Sequence, residues 1–250
     1  LLRNNRTVGA DDPETGELVK SLYASFCRGE IAVTDIRTAE MTKVVENTFR
    51  AVNIAFANEL AKICRIGGMD VAEVIRIANK HPRVNILRPG PGVGGHCIPV
   101  DPWFLVGDYP ETASFVRLAL QTNASMPEYV LRRAHEAMAE NGITDPSKVG
   151  IYGLTYKEDV DDVRESPTLQ LLEAQAEHLC GSPMRVYDPW VERDEVPNQV
   201  HSMEEFLEGL EMVIVMIGHS EVKDKPEVFG DRVIVDPRDV MGDGANVYKL

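Results

Sequence analysis

Nineteen residues from Arg83 to Asp101 hold the side chains best suited to chemistry: Arg-Val-Asn-Ile-Leu-Arg-Pro-Gly-Pro-Gly-Val-Gly-Gly-His-Cys-Ile-Pro-Val-Asp. Glycines let a backbone approach a ligand closely, and prolines stiffen what glycines would loosen. Cys97 lies between Gly-Gly-His and Ile-Pro-Val-Asp, a setting for a nucleophile, with the Asp101 carboxylate four residues on. A lone cysteine is also often just a small packed residue, and Asp101 could simply cap the turn at Pro102. Gly90, Gly92 and Gly95 match GxGxxG, but no strand precedes them and Pro91 interrupts the run just after Pro89. That context argues for a loop laying its amides against a phosphate or sugar, with charge from Arg83 and Arg88, and against a dinucleotide fingerprint. No second histidine–acid pair accompanies Cys97, which disfavours a cysteine hydrolase. Two more sets could be chemical: Lys43 with Asn47, and Lys157 with Arg164. Each has a plain alternative, a solvated helix face for the first and surface ion pairs with Asp159, Asp161 and Asp162 for the second.

The surrounding pattern divides into three. Residues 1–37 read as the end of a strand up to Gly9, a helix capped at Asp12 and running to Cys27 with Leu18, Leu22 and Phe26 on one face, and a strand at Ile31–Thr34. One strand–helix–strand unit cannot bury both faces, and no initiator methionine is present, so a longer chain is expected. From Thr38 helical spacing runs to Gly67-Gly68, with Met41, Val44, Val45, Phe49, Val52, Phe56, Leu60 and Ile63 as its apolar stripe. Lys43 and Asn47 lie on one face of it, away from most of that stripe, and Asn53, Asn58 and Glu59 make it unusually polar. Further helices are expected at 70–80, 112–123 and 126–141. Residues 38–142 are thus a helical domain with faces that could pair with a second subunit.

After Lys148 the period changes. Strands at 149–156, 184–187, 212–216 and 233–236 alternate with helices at 167–179 and 203–207. The fold class is therefore α/β: an all-helical central domain, then a doubly wound parallel sheet, Rossmann-like, over residues 143–250. Ligands collect at the carboxyl ends of such strands, where the charged loop Lys157–Pro167 lies.

Composition excludes some classes. A formal charge of −14 argues against nucleic acid and anionic membrane as partners. No apolar run reaches membrane-spanning length and no signal peptide is evident. The four cysteines are scattered without a CxxC pair, so neither a disulfide framework nor a zinc site is expected, and Cys27, Cys64 and Cys180 read as packed residues of a cytoplasmic protein.

Three blocks occur together in order: Ala39-Glu-Met-Thr-Lys-Val-Val-Glu-Asn-Thr48 with Asn58-Glu59, Gly94-Gly-His-Cys-Ile-Pro-Val-Asp-Pro102, and Lys157-Glu-Asp-Val-Asp-Asp-Val-Arg-Glu-Ser-Pro167. Together they resemble the UDP-glucose/GDP-mannose dehydrogenase family, and the Cys97 loop with Asp-Pro-Trp-Phe looks most like members acting on UDP-N-acetylmannosamine. The resemblance implies a four-electron, NAD-dependent oxidation of the sugar C6 alcohol to a carboxylate, through a thiohemiacetal and a thioester, in surface polysaccharide or glycan biosynthesis. UDP-glucose and UDP-N-acetylglucosamine are alternative substrates, since their enzymes share Lys43, Asn47, Cys97 and Asp101.

It implies, further, that Cys97 is the nucleophile, that Lys43 and Asn47 hold the C6 oxygen, and that Asp101 activates water or handles the proton. Substrate binding would fall to Arg88, Pro89, Gly90, Pro91, Gly92, Val93 and Gly94, to Tyr156, Lys157 and Arg238, and to Arg83 reaching into a neighbouring subunit. NAD would touch Arg164 and the backbone near Ile98, Pro99 and Val100. No metal is implied. A homodimer or higher assembly would form through the central helix, which makes residues 38–142 the dimerisation domain and 143–250 the nucleotide-sugar domain. The family's NAD-binding domain is matched only by its last segment, residues 1–37. This polypeptide alone is therefore expected to turn over little, if at all, and a UDP-sugar-binding and dimerisation module without activity is the alternative.

Overall fold

The computed structural model describes residues 2–178 and 184–250. Cys180 and the expected helix end at Leu179 lie outside the described residues. Two compact bodies make up the chain, Leu1–Phe49 and Arg50–Leu250.

In the first body β1 (Arg6–Gly9) pairs in parallel with β2 (Ile31–Thr34) across α1 (Pro13–Ala24). Asp12 caps α1 by accepting the Thr15 N–H at 2.8 Å, with Pro13 in the first turn. The expected strand is shorter than its pattern, starting only at Arg6. The helix expected to reach Cys27 ends at Ala24, leaving Phe26 in the turn beyond it, and Leu18, Leu22 and Phe26 are open, at 70%, 66% and 44% exposure. The next helix, α2 (Ile36–Ile66), begins two residues before Thr38. Asp35 is its cap, accepting the Thr38 N–H at 3.0 Å and hydroxyl at 2.6 Å. A carboxylate reaches the free amides of a first turn better than a threonine can, and so moves the start.

The apolar stripe of α2 is largely exposed, with Val44, Val52 and Leu60 half-buried. Met41, Val45, Phe49, Phe56 and Ile63 are exposed, whereas Ala51, Ala55, Ala57, Ala61 and Cys64 are buried. Small side chains bring the helix axis close to its neighbours, and the polar pair Asn53 and Asn58 is used as described below. Gly68, at φ +66°, ends the helix, and the Met69 N–H closes on the Cys64 carbonyl at 2.8 Å.

The second body continues with α3 (Val71–Ala78), α4 (Pro102–Asp108), α5 (Ser114–Ala124) and α6 (Met126–Glu140). α4 carries no periodic apolar pattern and was not expected; Pro102 opens it. α7 (Pro167–His178) and α8 (Met203–Leu207) accompany six parallel strands, β3 (Val149–Tyr152), β4 (Arg185–Tyr187), β5 (Gln199–Val200), β6 (Met212–Val215), β7 (Val233–Asp236) and β8 (Val247–Lys249). Their order is β5-β4-β3-β6-β7-β8, so the chain reverses direction between β3 and β6. The edge strands β5 and β8, of two and three residues, are too short to leave a pattern.

Helices cover one face of this sheet and an aromatic layer the other. Val149, Ile151, Met212, Ile214 and Val235 pack with Val130, Leu131, Ala134 and Ala137 of α6 and Leu171 of α7. Tyr152, Tyr187, Val213, Val215 and Ile234 point the opposite way, toward Phe206 and Phe229. Burial on both faces explains the continuous apolar runs of the strands.

The strand expected to reach Tyr156 stops at Tyr152. Gly153 takes φ +93°, and a Cβ there would lie 2.6 Å from Ile217 Cβ and 2.8 Å from its nitrogen. The N–H groups of Leu154 and Thr155 then turn to the Asp188 carboxylate, at 2.6 and 3.0 Å. Gly153→Ala is expected to destabilise by about 2–4 kcal/mol, adding overpacking to left-handed strain. Gly142→Ala, at φ +70° with nothing within 4 Å, should cost only about 1 kcal/mol. Urea denaturation of the two variants measures the difference, and equal costs would refute this account of the strand end.

Candidate functional site

The loop from Arg83 to Asp101 has little regular backbone pairing, and asparagine side chains take its place. Asn53 donates to the Asn85 carbonyl at 2.8 Å and accepts the Leu87 N–H at 2.9 Å. Asn79 does the same at Ile86, donating to its carbonyl and accepting its N–H, at 2.9 and 2.8 Å. Asn58, fully buried, accepts the Gly90 N–H at 2.9 Å and donates to Asn123 Oδ1 at 3.0 Å. Asn123 in turn donates to the Ala51 carbonyl at 2.9 Å, so a relay of amides ties α2, α5 and the loop. The polarity of α2 that set it apart as a sequence thus serves to grip this loop.

Beyond Gly90 the loop meets the sheet. The Gly95 N–H donates to the Arg164 carbonyl at 3.0 Å. A Cβ on Gly94 would stand 2.6 Å from the Glu165 carbonyl oxygen and 2.7 Å from Tyr156 Cβ, and one on Gly95 2.9 Å from the Tyr156 ring. Gly92, at φ +134°, faces Pro167 and Pro127. These three glycines are required by protein packing, a role that the reading of amides laid against a ligand did not include. Only Gly90, with nothing within 4 Å of its would-be Cβ, has room there.

Cys97 is half-buried at the start of a helical turn. Its carbonyl accepts the Asp101 N–H at 2.8 Å, and the turn runs on into α4. One helical turn therefore separates the thiol from the Asp101 carboxylate. Asp101 does not cap α4 with its side chain. Ile98, next to the thiol, packs on Ala51, Val106 and Leu120, while Pro99 is half-buried and Val100 exposed. Arg83, Arg88 and His96 are exposed, Pro89 and Val93 half-buried, and Pro91 buried.

On the sheet side Tyr156 is half-buried and Lys157 exposed. Arg238, half-buried, crosses from the end of β7 to donate Nε–H to the Met216 carbonyl at 2.7 Å. Asp236 holds that turn by accepting the N–H groups of Arg238, Val240 and Met241, at 3.1, 2.7 and 2.7 Å. Burial pushes the Asp236 carboxyl up despite those bonds, and pushes the Arg238 guanidinium down against the pull of Glu158 and Asp236. Arg164 is exposed and paired with Asp162, Nη2 to Oδ2 at 2.6 Å, as the surface-pair alternative has it. The Arg164 hydrogen bond, outweighing slight desolvation, holds the Asp162 carboxyl down at about 2.

Lys43 and Asn47 are one turn apart on α2 in the first body, Lys43 exposed and Asn47 buried at 2%. A merely solvated face does not describe Asn47. Asn79, Asn123, Asp188 and His219 carry no motif that marks them, and their importance emerges only from the contacts. Among the described residues no strand leads through a GxGxxG turn into a helix. No group of three or more His, Cys, Asp or Glu side chains is set to hold a metal, among the described residues. Nor is any described helix long and apolar enough to cross a membrane. A shallow depression along Asp194–Gln199 lies apart from all of these side chains in sequence and carries no matching chemistry.

Comparison with known proteins agrees in both regions. Residues 37–125 match the UDP-glucose/GDP-mannose dehydrogenase family, central domain, and residues 150–249 match the same family's UDP binding domain. The chain is 41% identical over 249 residues to UDP-N-acetyl-D-mannosamine dehydrogenase of Methanococcus vannielii, covering 96% of this chain and 57% of the relative. It is 40% identical over 242 residues to NDP-N-acetyl-D-galactosaminuronic acid dehydrogenase of Ralstonia nicotianae, covering 95% and 56%. A solved UDP-D-ManNAc dehydrogenase from Pyrococcus horikoshii superposes with a TM-score of 0.87 at 36% identity, over 99% of this chain and 60% of that one. The chain thus spans under two thirds of the length of these relatives.

Asn58→Ala would strand the Gly90 N–H and the Asn123 carbonyl oxygen together. A loss of about 2–4 kcal/mol is expected by chemical denaturation, with faster amide exchange at Gly90. Unchanged exchange there would show that the relay does not hold the loop.

Proposed function

Because the chain belongs to the UDP-glucose/GDP-mannose dehydrogenase family, we propose that it carries the thiol-bearing and nucleotide-binding parts of a UDP-sugar 6-dehydrogenase, with UDP-N-acetylmannosamine as substrate. The supporting observation is the seam at Gly95 and Arg164, where the Cys97 loop and the loop bearing Tyr156 and Lys157 become one surface. Arg88 and the Gly90–Gly94 backbone face the sugar diphosphate in this reading; Tyr156, Lys157 and Arg238 take the uridine end at the carboxyl edge of the sheet.

Cys97 adds its sulfur to the C6 aldehyde and holds the acyl group until water releases the acid. Asp101, one turn away, handles the proton. Lys43 and Asn47 stabilise the oxygen on which negative charge develops, an ammonium and an amide at the spacing that one helix face provides. NAD, two molecules per turnover, would accept the hydride lost when the C6 alcohol becomes the aldehyde and the one lost when the Cys97 thiohemiacetal becomes the thioester. The residues present here account only for its edge, through Arg164 and Ile98–Val100, and its main platform is assigned to sequence outside this chain.

The same reading divides the chain into residues 1–37 as the end of that NAD-binding domain, 38–142 as the dimerisation domain and 143–250 as the UDP-sugar domain. The exposed large residues of α2, Met41, Val45, Phe49, Phe56 and Ile63, suit a homodimer interface, and Arg83 suits a reach into the partner's substrate. The protein then acts in the cytoplasm, upstream of glycan assembly. A binding and dimerisation module without turnover is the second reading. The Ralstonia relative keeps other N-acetylated nucleotide sugars in view as substrates.

Calorimetry with UDP and a panel of UDP-sugars, followed by mass spectrometry of the products, tests both readings. This chain is expected to bind UDP-N-acetylmannosamine and to turn it over slowly or not at all. Supplying a dinucleotide-binding domain should restore NADH formation. Failure to bind any UDP-sugar would overturn the proposal, and binding without activity in the completed protein would favour the second reading. In the completed protein Cys97→Ser should bind substrate normally and form no acid; undiminished acid formation would refute the covalent role. Light scattering is expected to give at least a dimer.

A further inference from the structure

His219 follows β6 at the point where the strand order reverses, and it is fully buried. Both its ring nitrogens are engaged. Nδ1 lies 2.9 Å from the Asp159 backbone nitrogen, whose N–H can only donate, so Nδ1 is the acceptor. The proton of the neutral ring is therefore on Nε2, which donates to Asp188 Oδ2 at 3.1 Å. Tyr152 stands edge-on to the ring at 5.8 Å between centroids and fixes its plane.

Asp188 is the hub at the end of β4. Besides His219 it accepts the N–H groups of Leu154, Thr155 and Trp190, at 2.6, 3.0 and 2.8 Å. Burial drives its carboxyl up, but the bond from His219 and the backbone donors outweigh it and hold it below the ordinary carboxylate value. Asp159, at the other end of the His219 bridge, sits at φ +56°, a backbone shape that a non-glycine residue keeps only when held. Its carboxylate is tied in turn to Ser220, whose N–H donates at 3.0 Å and whose hydroxyl donates as well. Tyr156 and Lys157 lie between these two anchors, Leu154–Thr155 on Asp188 and Asp159 on His219.

We propose that His219 is a positioning residue for nucleotide binding. Its neutral ring carries the placement of Asp188 across to the backbone at Asp159, and so holds the Tyr156–Lys157 segment in the shape that meets the UDP moiety. This rests on the assignment of that segment to the nucleotide. The bridge has two separable halves. In His219→Asn the amide oxygen takes the place of Nδ1 and keeps the Asp159 bond; in His219→Gln the terminal amide takes the place of Nε2 and keeps only the Asp188 bond.

The two variants and the unaltered chain are compared by UDP calorimetry and by amide exchange at Asp159, with melting temperature as the control for general damage. His219→Gln should bind UDP about tenfold more weakly, the worth of one lost hydrogen bond, with faster exchange at Asp159. His219→Asn should regain most of the affinity at a comparable melting temperature. Equal affinity in all three proteins overturns the proposal, as does a loss that follows melting temperature and not the half of the bridge removed. If neither variant folds, Ser220→Ala removes the hydroxyl bond to the Asp159 carboxylate at an exposed site, leaving the backbone N–H bond, and should weaken UDP binding a few-fold. Unchanged affinity there, despite faster Asp159 exchange, also overturns it. An unaltered chain that fails to bind UDP would instead sink the nucleotide assignment, and this proposal with it.

Discussion

A loop without regular secondary structure still has to find partners for its backbone amides, and that requirement organises this molecule. Between Arg83 and Asp101 no strand or long helix can satisfy them, so side chains do it: Asn53 at residues 85 and 87, Asn79 at 86, Asn58 at 90. Each such contact makes two bonds where it can, accepting with oxygen and donating with nitrogen, as a neighbouring strand would. The helices bearing these asparagines are thereby committed in position, and small residues at 51, 55, 57 and 61 let α2 pack closely. The outward turn of its large apolar residues is the other side of that commitment.

The same solution recurs on the sheet. Where β3 ends at Gly153, the next N–H groups go to a buried carboxylate, and a histidine carries the connection onward. The Cys97 loop, supported by amides, and the 153–166 loop, supported by a charged hub, meet at the Gly95–Arg164 bond. Both are irregular segments held by a few fully buried polar groups, where each lost bond leaves a partner unsatisfied in low dielectric. Such a surface is preorganised before any ligand arrives.

Much of this was legible in the residues. The long helix, the change of period after Lys148 and the special character of the Arg83–Asp101 run followed from spacing and glycine–proline chemistry. Asp35 was missed as the helix cap because Thr38 offers a similar signal three residues later. Which face of α2 is buried was not legible, because periodicity finds a stripe but does not say which neighbour it meets, and alanines can be the buried side. The short strands β5 and β8 and helix α4 are fixed by tertiary pairing, not by pattern. Asn79, Asn123 and His219 were invisible for another reason: one polar residue in an ordinary context shows its value only once its partners, up to 72 positions away, are known.

The glycine packing against Tyr156 and Pro167 bears on how such a surface can change over generations. Positions 94 and 95 are closed to a side chain by neighbours already in place, and position 92 is held to glycine by its φ of +134°, whatever the ligand. Arg88, Val93 and His96 are exposed or half-buried in the same stretch, and new side chains can be tried there without moving the seam. Sequence is thus free to drift at the open positions of the loop while the packed ones are locked, an arrangement that suits a scaffold whose framework stays constant and whose surface diverges.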